Sequence, residues 1–335
     1  MLKVAIIGFG GIAKAAHLGP HIELEKEGKS KLVAVCDICP ETFTGSAEIN
    51  IASSSVTLGD DVNKYTDWEE MLDKEDIDVV DICLPTFLHE SMSVNVLKRG
   101  VNVICEKPMS LSYELCMNMC DEAKKNGRKL MIAQCCRFNS SYLYLKKLVD
   151  EGTYGKIKSA VFKRLSGPPK WSWNNWFRDY NLSGGCILDM HIHDIDLFRF
   201  ILGNPKKVSC FTSDFYTKKD IAHSRLVYDD FSVIAIGDWS REGTLFEAGF
   251  DVAFENATVI GDSKGVTVYL RNGEKFEAEI ENADMYKAEL EYFIDCVAND
   301  KENILNAPED SATTVKLIET LVKSAENNGE FIDFN

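Results

Sequence analysis

Residues 3–13 read Lys-Val-Ala-Ile-Ile-Gly-Phe-Gly-Gly-Ile-Ala, an apolar run that ends in a glycine-rich turn. The pattern G-x-G-x-x-A from Gly8 to Ala13 lies between a predicted strand and a predicted helix, which is typical of dinucleotide-binding proteins. Gly8 allows the tight turn, and Gly10 lets the backbone approach a pyrophosphate, whose charge the helix N-terminus stabilises. We therefore predict that a dinucleotide contacts Gly8, Phe9, Gly10, Gly11 and Ile12.

The second predicted strand, residues 32–37, ends in a carboxylate 24 residues after Ala13. A carboxylate at this place accepts hydrogen bonds from the ribose hydroxyls of NAD and repels the 2′-phosphate of NADP. Residues 38–40 include no Arg or Lys, so we predict that Asp37 selects NAD over NADP. The alternative is that Asp37 only caps a turn at the strand end.

Short β-rich runs alternate with helical stretches through the first 135 residues. The predicted strands are nearly continuous in apolar residues, as expected for parallel strands covered on both faces, and they span residues 3–8, 32–37, 78–84, 102–106 and 129–134. Helices are predicted from Gly11 and over residues 67–73, 90–99 and 112–126. This alternation predicts a Rossmann domain, a doubly wound parallel sheet, over residues 1–135.

The pattern changes after about residue 150, where strands follow one another with turn residues between them. Predicted strands cover residues 156–163, 207–216, 231–240, 244–254, 257–261 and 266–270, and predicted helices cover 187–202, 285–298 and 308–327. Arg271-Asn272-Gly273 is a strong hairpin signal. We predict an α+β domain with a large, mostly antiparallel sheet over residues 136–335, which binds substrate. A sheet face without helices exposes apolar surface, so we expect a homodimer or homotetramer.

The composition excludes several classes of partner. The 335 residues carry 37 Lys and Arg against 53 Asp and Glu, a formal net charge of −16. This acidic surface would repel phosphodiester backbones and anionic membranes, so we expect neither nucleic acid nor a membrane as a partner. No apolar run approaches the roughly 20 residues that cross a bilayer. Residues 1–8 have no charged leader and predict a first strand rather than a signal peptide.

The eleven cysteines are odd in number and lie mostly in apolar runs. That pattern favours reduced, buried thiols in a cytoplasmic protein over a disulfide framework. Cys36 and Cys39 have the spacing of a redox pair, and Cys116 and Cys120 are spaced so that they could share a metal. Neither pair has the flanking residues of such a site, and ordinary thiols are the simpler interpretation.

Three further motifs complete the pattern. Leu84-Pro85-Thr86-Phe87-Leu88-His89 ends one strand, Cys105-Glu106-Lys107-Pro108 ends the next, and residues 183–196 read Ser-Gly-Gly-Cys-Ile-Leu-Asp-Met-His-Ile-His-Asp-Ile-Asp. With the glycine-rich turn, and in order along the chain, they resemble the glucose-fructose oxidoreductase/inositol dehydrogenase/rhizopine catabolism family (Gfo/Idh/MocA). The resemblance implies reversible hydride transfer between NAD and a secondary alcohol of a sugar, inositol or related polyol.

The family pattern also implies catalytic roles. In the family a histidine is the proposed general acid/base, an aspartate supports it and a lysine assists, which implies these roles for His193, Asp189 and Lys107. Lys107 follows a sheet strand at the edge where doubly wound folds bind ligands, and its charge suits a developing alkoxide. Asp189 and His193 are four residues apart on a predicted helix and share a face, so the carboxylate can orient the imidazole. An ordinary surface lysine and a helix ion pair are the alternatives.

The resemblance adds cofactor contacts at Pro85, Thr86, His89 and Glu106, although His89 could equally be a histidine satisfied at a helix start. Thr86 stands where the family often has Asn, and Cys186 stands where a third Gly is common, and either change could reshape a pocket. His191 and His193 form an H-x-H pair. Residues two apart on a helix point in different directions, so we predict no metal site.

A loop over residues 167–180 contains three of the five Trp within six residues, interleaved with amide and charged groups. Flat aromatic surfaces with Asn, Arg and Asp suit a polyhydroxylated ring. The predicted substrate contacts are therefore Trp171, Trp176 and Arg178, together with Lys107, Asp189, His193 and Arg137, a position where family members often carry Arg. The alternative is a loop packed against its own domain or at a subunit contact.

Two other functions stay open at this stage. A non-catalytic sensor that binds NAD or NADP would not need a proton relay, so the presence of Lys107, Asp189 and His193 together favours an enzyme. A reductase of a non-sugar carbonyl or dihydrodiol would be indicated by a preference for NADPH.

Overall fold

The computed structural model describes residues 1–45, 47–49, 52–54 and 56–334, and the chain forms two compact units. The first unit consists of Met1–Cys135, Pro169–Trp176 and Asp284–Thr313, and the second consists of Cys136–Pro168, Phe177–Ala283 and Thr314–Asn335. A change of unit falls after Cys135, where we predicted a domain boundary. Two later segments, Pro169–Trp176 and Asp284–Thr313, also belong to the first unit. The predicted division assigned both of them to the second domain.

Regular elements follow one another along most of the chain. The strands are β1 (Leu2–Ile7), β2 (Ser30–Cys36), β3 (Ala47–Ile49), β4 (Ala52–Ser54), β5 (Asn63–Tyr65), β6 (Val79–Ile82), β7 (Asn102–Glu106), β8 (Leu130–Ala133), β9 (Ile157–Leu165), β10 (Lys207–Ser213), β11 (Ile221–Val227), β12 (Ser232–Asp238), β13 (Glu247–Phe254), β14 (Ala257–Asp262), β15 (Gly265–Leu270), β16 (Lys275–Glu277) and β17 (Ile332–Asp333). The helices are α1 (Leu18–Lys26), α2 (Trp68–Lys74), α3 (Thr86–Lys98), α4 (Tyr113–Lys125), α5 (Ser140–Asp150), α6 (Tyr180–Ser183), α7 (Gly185–Asp189), α8 (Ile192–Leu202), α9 (Met285–Ala298) and α10 (Pro308–Glu326). A π-helical turn (Ala13–His17) precedes α1, and 3-10 turns cover Pro40–Phe43, Cys135–Phe138 and Trp173–Arg178.

The first unit contains a six-stranded parallel sheet in the order β5-β2-β1-β6-β7-β8. Every residue of β6 and of β8 is buried, which explains the continuous apolar runs in the sequence. The strand order reverses between β1 and β6, and ligands of doubly wound sheets bind outside the carboxyl ends of the strands at such a point. The sheet confirms the predicted Rossmann fold. Edge strand β5 was not predicted, because its sequence, Asn63-Lys64-Tyr65, is polar and lacks the apolar run used to identify the other strands.

Helix α9 belongs to the first unit although it follows the second-unit sheet in sequence. Its Leu290, Phe293 and Ile294 lie in one buried cluster with Val4 and Ile104 of the parallel sheet. Burying an apolar side chain of this size stabilises a fold by about 1.5–3 kcal/mol. The apolar face of α9 therefore accounts for the return of the chain to this sheet.

Helix starts follow their capping residues. Oδ1 of Asp67 accepts a hydrogen bond from the amide of Glu69 at 2.8 Å, so Asp67 is the N-cap of α2. The prediction that α3 begins at residue 90 is wrong, because the helix begins at Thr86. Pro85 takes an extended conformation directly before it and supplies the helix boundary.

The second unit contains a nine-stranded sheet in the order β16-β15-β14-β13-β9-β12-β11-β10-β17. Strand β9 pairs in parallel with β12 and antiparallel with β13, so the sheet is mixed but mostly antiparallel, as predicted. Along β9, Ala160 and Phe162 are buried while Val161 is exposed, the alternation of a sheet with one covered face. Strand β11 and helix α5 were not predicted.

Two features bear on the environment of the chain. Among the helices that the structure describes, none is both long enough and apolar enough to cross a bilayer. All eleven cysteines are free thiols, and all but Cys39 are buried. Burial raises the pKa of Cys36 and of Cys83 to about 12, so these thiols stay protonated.

Candidate functional site

The glycine-rich turn joins the end of β1 to the π-helical turn. Gly8 has φ +90°, and a Cβ there would lie 2.7 Å from the carbonyl oxygen of Cys83, so only glycine fits. The structure gives no such reason for Gly10, where a Cβ would meet no described atom within 4 Å. Glycine at this second position instead leaves room for a ligand to approach the backbone, as a pyrophosphate requires.

Asp37 follows β2 and lies beside this turn. Its Oδ2 accepts a hydrogen bond from the amide of Phe9 at 2.8 Å, and its Oδ1 accepts one from the amide of Cys39 at 2.9 Å. A carboxylate offers about four lone-pair sites, so two directions stay available to ribose hydroxyls. The residues present therefore fit an NAD molecule. Asp37 also caps the turn at the strand end, the alternative considered above, because the same carboxylate accepts the hydrogen bond from the Cys39 amide.

The other two predicted contacts in the turn have apolar side chains directed into the protein. Phe9 is 1% exposed and lies in a buried cluster with Ile6 and Leu18, and Ile12 packs against that cluster. The amide of Phe9 already donates to Asp37, so of these two residues only Ile12 can offer a ligand its backbone amide. Both side chains fix the turn on the sheet.

His89 lies in the first turns of α3 and is buried. Its Nδ1 is 2.8 Å from the carbonyl oxygen of Pro108, and its Nε2 is 2.7 Å from that of Leu84. Burial lowers the pKa of His89, although both carbonyl contacts oppose that effect. Both ring nitrogens thus face backbone carbonyls, and a neutral ring, with its single N–H, donates to one of them. The side chain is packed against the backbone at the helix start and is not free to bind a cofactor. Pro85 and Thr86 lie at the start of the same helix, and Thr86 is buried.

Lys107 follows β7 directly and is half-buried. The preceding Glu106 uses both carboxylate oxygens within the protein: Oε2 accepts from the amide of Lys107 at 3.0 Å, and Oε1 lies 2.9 Å from Nε2 of His17. The carbonyl oxygen of Pro108 lies 2.8 Å from Nδ1 of His89. Lys107 is therefore held from both neighbouring residues.

The tryptophan-rich segment belongs to the first unit, not to the second as we predicted. The ring of Trp171 would lie 3.1 Å from a Cβ placed on Gly11, so this indole covers the glycine-rich turn. Trp173 hydrogen-bonds the thiol of Cys39, two residues after Asp37. Trp176 meets Phe87 of α3 edge-on, with ring centroids 6.4 Å apart. The segment thus lies along the dinucleotide-binding elements of its own unit.

His193 lies in α8, in the second unit, and is half-buried. Its Nδ1 is 3.6 Å from Sγ of Cys136, a hydrogen-bond distance for sulfur. The prediction of one helix over residues 187–202 is wrong, because the chain turns between the end of α7 at Asp189 and the start of α8. The rule that residues four apart share a helix face therefore does not apply to Asp189 and His193. Their pairing stays a prediction.

His191, in the turn before α8, has no exposed surface. Its Nε2 is 2.9 Å from Oγ of Ser224, and burial lowers its pKa to about 3, so the ring stays neutral. A Cβ on Gly237 would lie within 3 Å of this imidazole. His191 thus fills a tight space in the second unit.

The two predicted substrate arginines differ in environment. Arg137 is 3% exposed and forms a bidentate ion pair with Asp196, with Nε–Oδ2 at 2.7 Å and Nη2–Oδ1 at 2.6 Å. This pairing accounts for an arginine at position 137 without a ligand. Arg178 is exposed, and its guanidinium lies 5.4 Å from the ring centre of Tyr216.

Sequence reasoning missed three residues near the predicted site: His17, Asp81 and Cys136. Asp81 interrupts the apolar run Val79-Val80-Asp81-Ile82, and His17 follows the dinucleotide fingerprint on the same helix. A charge inside a strand buried on both faces needs a partner, so these two residues carried a usable signal. Nothing in the sequence around Cys136 indicates a role, because its contact with His193, 57 residues away, forms only in the folded chain.

The first unit combines a doubly wound sheet with this glycine-rich turn and an acid after the second strand. The other unit is α+β with a mostly antiparallel sheet. Together these features define the class of two-domain oxidoreductases that bind a nicotinamide dinucleotide. The chain belongs to the Gfo/Idh/MocA family. Residues 2–134 match its oxidoreductase family, NAD-binding Rossmann fold, and residues 142–266 match the Gfo/Idh/MocA C-terminal domain.

Several characterised proteins are similar to this chain. Inositol 2-dehydrogenase of Rhizobium meliloti is 30% identical over 257 residues, which cover 71% of this chain and 72% of that protein. D-glucoside 3-dehydrogenase of Escherichia coli is 27% identical over 361 residues and covers 97% of this chain and 95% of its own. 2,7-anhydro-N-acetylneuraminate hydratase of Mediterraneibacter gnavus is 31% identical over 227 residues, 68% of this chain, and the chain matches about half of that relative (54%).

The fold of the whole chain also has solved counterparts. An oxidoreductase from Thermotoga maritima superposes with a TM-score of 0.82 at 22% identity and covers 99% of this chain and 98% of its own. The family assignment makes this chain an oxidoreductase whose first unit is an NAD-binding Rossmann domain.

Proposed function

We propose that this protein is an NAD-dependent dehydrogenase that acts on a secondary alcohol of a sugar, an inositol or a related polyol. The observation that carries the proposal is the carboxylate of Asp37 bonded to the glycine-rich turn, on the same sheet that presents Lys107 at the end of β7. The named dehydrogenases among the relatives support the polyol class.

NAD supplies the acceptor for the hydride. The amides of the glycine-rich turn bind its pyrophosphate, and Asp37 binds the adenosine ribose. Because a 2′-phosphate would face the carboxylate of Asp37, NAD is preferred to NADP. Trp171, whose ring covers Gly11, is assigned to the cofactor rather than to the substrate.

The proton of the substrate hydroxyl is assigned to His193. Since Nδ1 of this ring faces the thiol of Cys136, Nε2 is the nitrogen left to accept the proton. Lys107 donates a hydrogen bond to the reacting oxygen and stabilises its developing negative charge. Asp189 is proposed to support the imidazole of His193, and Arg178 is the proposed substrate contact that is exposed in the structure.

The direct test is the formation of NADH by the purified protein with inositols, aldoses, glycosides, sugar acids and amino sugars, repeated with NADP. Turnover of one substrate class with NAD supports the proposal. A preference for NADPH would favour the reductase of a non-sugar carbonyl. NAD binding without turnover on any member of the panel would favour the sensor.

One observation favours a second reaction class. A relative at 31% identity is a hydratase of an anhydro sugar, and a hydratase adds water with no net change in its cofactor. In that case the panel would show no NADH, while mass spectrometry of anhydro sugars incubated with the protein and NAD would show the addition of one water.

We further propose a homodimer or homotetramer through the exposed face of the second-unit sheet. Val161 of β9 pairs with Ile234 of β12, and both are exposed, as is Phe211 of β10. An apolar face of this kind is normally covered. Light scattering on the wild type and on Ile234→Lys tests this, since the variant should yield monomers. The free thiols are consistent with a cytoplasmic location.

A further inference from the structure

A buried group of ionisable side chains links the first helical turns to β6 and to the end of β7. Nδ1 of His17 is 2.8 Å from Oδ2 of Asp81, and Nε2 of His17 is 2.9 Å from Oε1 of Glu106. Nε2 of His21 is 2.9 Å from the same Asp81 oxygen. Glu106 is 5% exposed, and the other three have no exposed surface. Dinucleotide binding by the turn does not explain this group.

The geometry defines the charge of His17. A neutral imidazole carries one N–H and can donate to one carboxylate only, whereas the imidazolium donates from both nitrogens. Burial lowers the pKa of His17, but the charge of Asp81 and its hydrogen bond outweigh burial, and the pKa lies well above its ordinary 6.5. The contacts with His17 likewise lower the pKa of Asp81 and of Glu106 against the effect of burial. His17 is thus a cation between two anions.

Among the remaining groups that face His17, Cys83 also raises the pKa of this ring. Sγ of Cys83 is 3.7 Å from Oδ1 of Asp81, and burial raises the pKa of this thiol to about 12. The phenol ring of Tyr286, from α9, has its centre 6.3 Å from that of His17. His21 touches Asp81 through Nε2, and its buried Nδ1 has no hydrogen-bond partner among the described residues.

Glu106 connects this cation to Lys107. One carboxylate oxygen faces His17 and the other accepts from the amide of Lys107, so the side chain bridges an imidazolium and the backbone of the proposed catalytic lysine. The π-helical turn that ends at His17 brings the ring within hydrogen-bond distance of one residue from each of the two strands. Single π-helical turns occur frequently at functional sites.

We propose that His17 is a positioning residue for Lys107, which acts as an imidazolium and holds Glu106 ionised against the Lys107 amide. The inference rests on the proposed role of Lys107. Without His17, two buried carboxylates lose their shared cation, and Glu106 has to take up a proton or leave its place. The position of Lys107 would then depend on the ionisation of Glu106.

The test is the pH profile of turnover in His17→Gln, a neutral variant of similar size. Because Glu106 now titrates in the working range, kcat should gain a new acid limb and fall about tenfold for each pH unit below the new pKa. Turnover should approach that of the wild type at high pH. The Kd for NAD should change little, since the turn keeps its own contacts.

The matched control is His21→Gln, which alters a buried histidine on the same Asp81 oxygen but not on Glu106. It should have the pH profile of the wild type. The double variant His17→Gln/Glu106→Gln should lose the new limb, because the group at position 106 then no longer titrates. A His17→Gln profile parallel to that of the wild type would overturn the proposal, since a merely structural defect lowers turnover equally at every pH.

A second measurement does not depend on turnover or on the folding of a variant. In protein labelled with ¹⁵N at its six histidines, the ring of His17 should show two protonated nitrogens at about pH 8, where an ordinary histidine is neutral. A single N–H on His17 would overturn the proposal. If Lys107→Met turned over at the wild-type rate, the proposed catalytic role of Lys107 would be wrong. The NMR spectrum would still decide whether His17 is charged.

Discussion

The amide of Phe9 donates a hydrogen bond of 2.8 Å to Oδ2 of Asp37. This contact ties the glycine-rich turn after β1 to the acid after β2, two features that are 28 residues apart in sequence. The same carboxylate therefore shapes the glycine-rich turn and, in the proposed function, binds the ribose of NAD.

Asp37→Asn should weaken NAD binding more than NADP binding. Hydrogen bonds to a charged group contribute about 1.5–3 kcal/mol, so the Kd for NAD should rise at least about tenfold. Loss of the repulsive charge should at the same time raise the affinity for NADP. Fluorescence titration with both reduced cofactors measures this. Glu41→Gln removes an exposed charge nearby and should leave both values unchanged. An unchanged ratio in Asp37→Asn would contradict the assignment.

Gly8→Ala and Gly10→Ala should separate the structural glycine from the binding glycine. Alanine at position 8 combines φ +90° with a contact of 2.7 Å to a carbonyl oxygen, so the free energy of unfolding should fall by at least about 1–3 kcal/mol. Alanine at position 10 meets no described atom, so stability should change little while NAD affinity falls. Urea unfolding and NADH titration give both numbers. Equal destabilisation by the two substitutions would contradict this division.

Trp171→Ala should weaken NAD binding, because the indole covers Gly11 of the pyrophosphate turn. Loss of aromatic packing of about 0.5–1.5 kcal/mol beyond area burial corresponds to roughly a threefold to tenfold rise in Kd. The KM for the alcohol at saturating NAD should change less. Trp68→Ala, in α2 of the same unit, is the control. If only the KM for the alcohol rose, the original prediction of a substrate contact would be restored.

His193→Ala should reduce kcat by about 10²–10⁴-fold, the usual contribution of a general acid or base. NAD affinity should stay within a few-fold of the wild type, because the cofactor contacts are assigned to the other unit. Stopped-flow turnover and NADH titration separate the two effects. His223→Ala, an exposed histidine in β11, is the control. A parallel loss of turnover and NAD affinity would remove His193 from the proton-transfer role.

The stability of the wild type should fall with pH in a way that His17→Gln does not share. The folded state raises the pKa of His17 above its unfolded value of about 6.5. Its contribution is therefore fully present below that pH and is lost as the pH rises through the folded pKa. Above about pH 6.5, and until the pH passes the folded pKa, the wild type should lose up to about 1.4 kcal/mol per pH unit more than the variant. Parallel urea-unfolding curves would show that His17 is not charged.

Much of the first unit follows from sequence because its signals are local. A buried parallel strand needs a continuous apolar run, and a helix start needs a residue such as Asp67 that accepts from the next amides. A positive φ requires the glycine at position 8, and the acid after β2 accepts a hydrogen bond from the amide of Phe9 in the same turn. Strand β11, Ile221–Val227, was missed because its sequence contains His223 and Arg225 on the exposed face and a polar residue, Ser224, on the buried face.

The sequence by itself determined the Rossmann sheet, the dinucleotide turn, Asp37 and the family of the protein, since each depends on residues close together in the chain. Tertiary structure decided the rest. Trp171 packs on the glycine-rich turn, and Arg137 forms an ion pair with Asp196. The helix is interrupted between Asp189 and His193, and His17 lies between two carboxylates. These contacts depend on which side chains, distant in sequence, are buried together in the folded chain. The spacing of residues and the periodicity of apolar residues do not predict this.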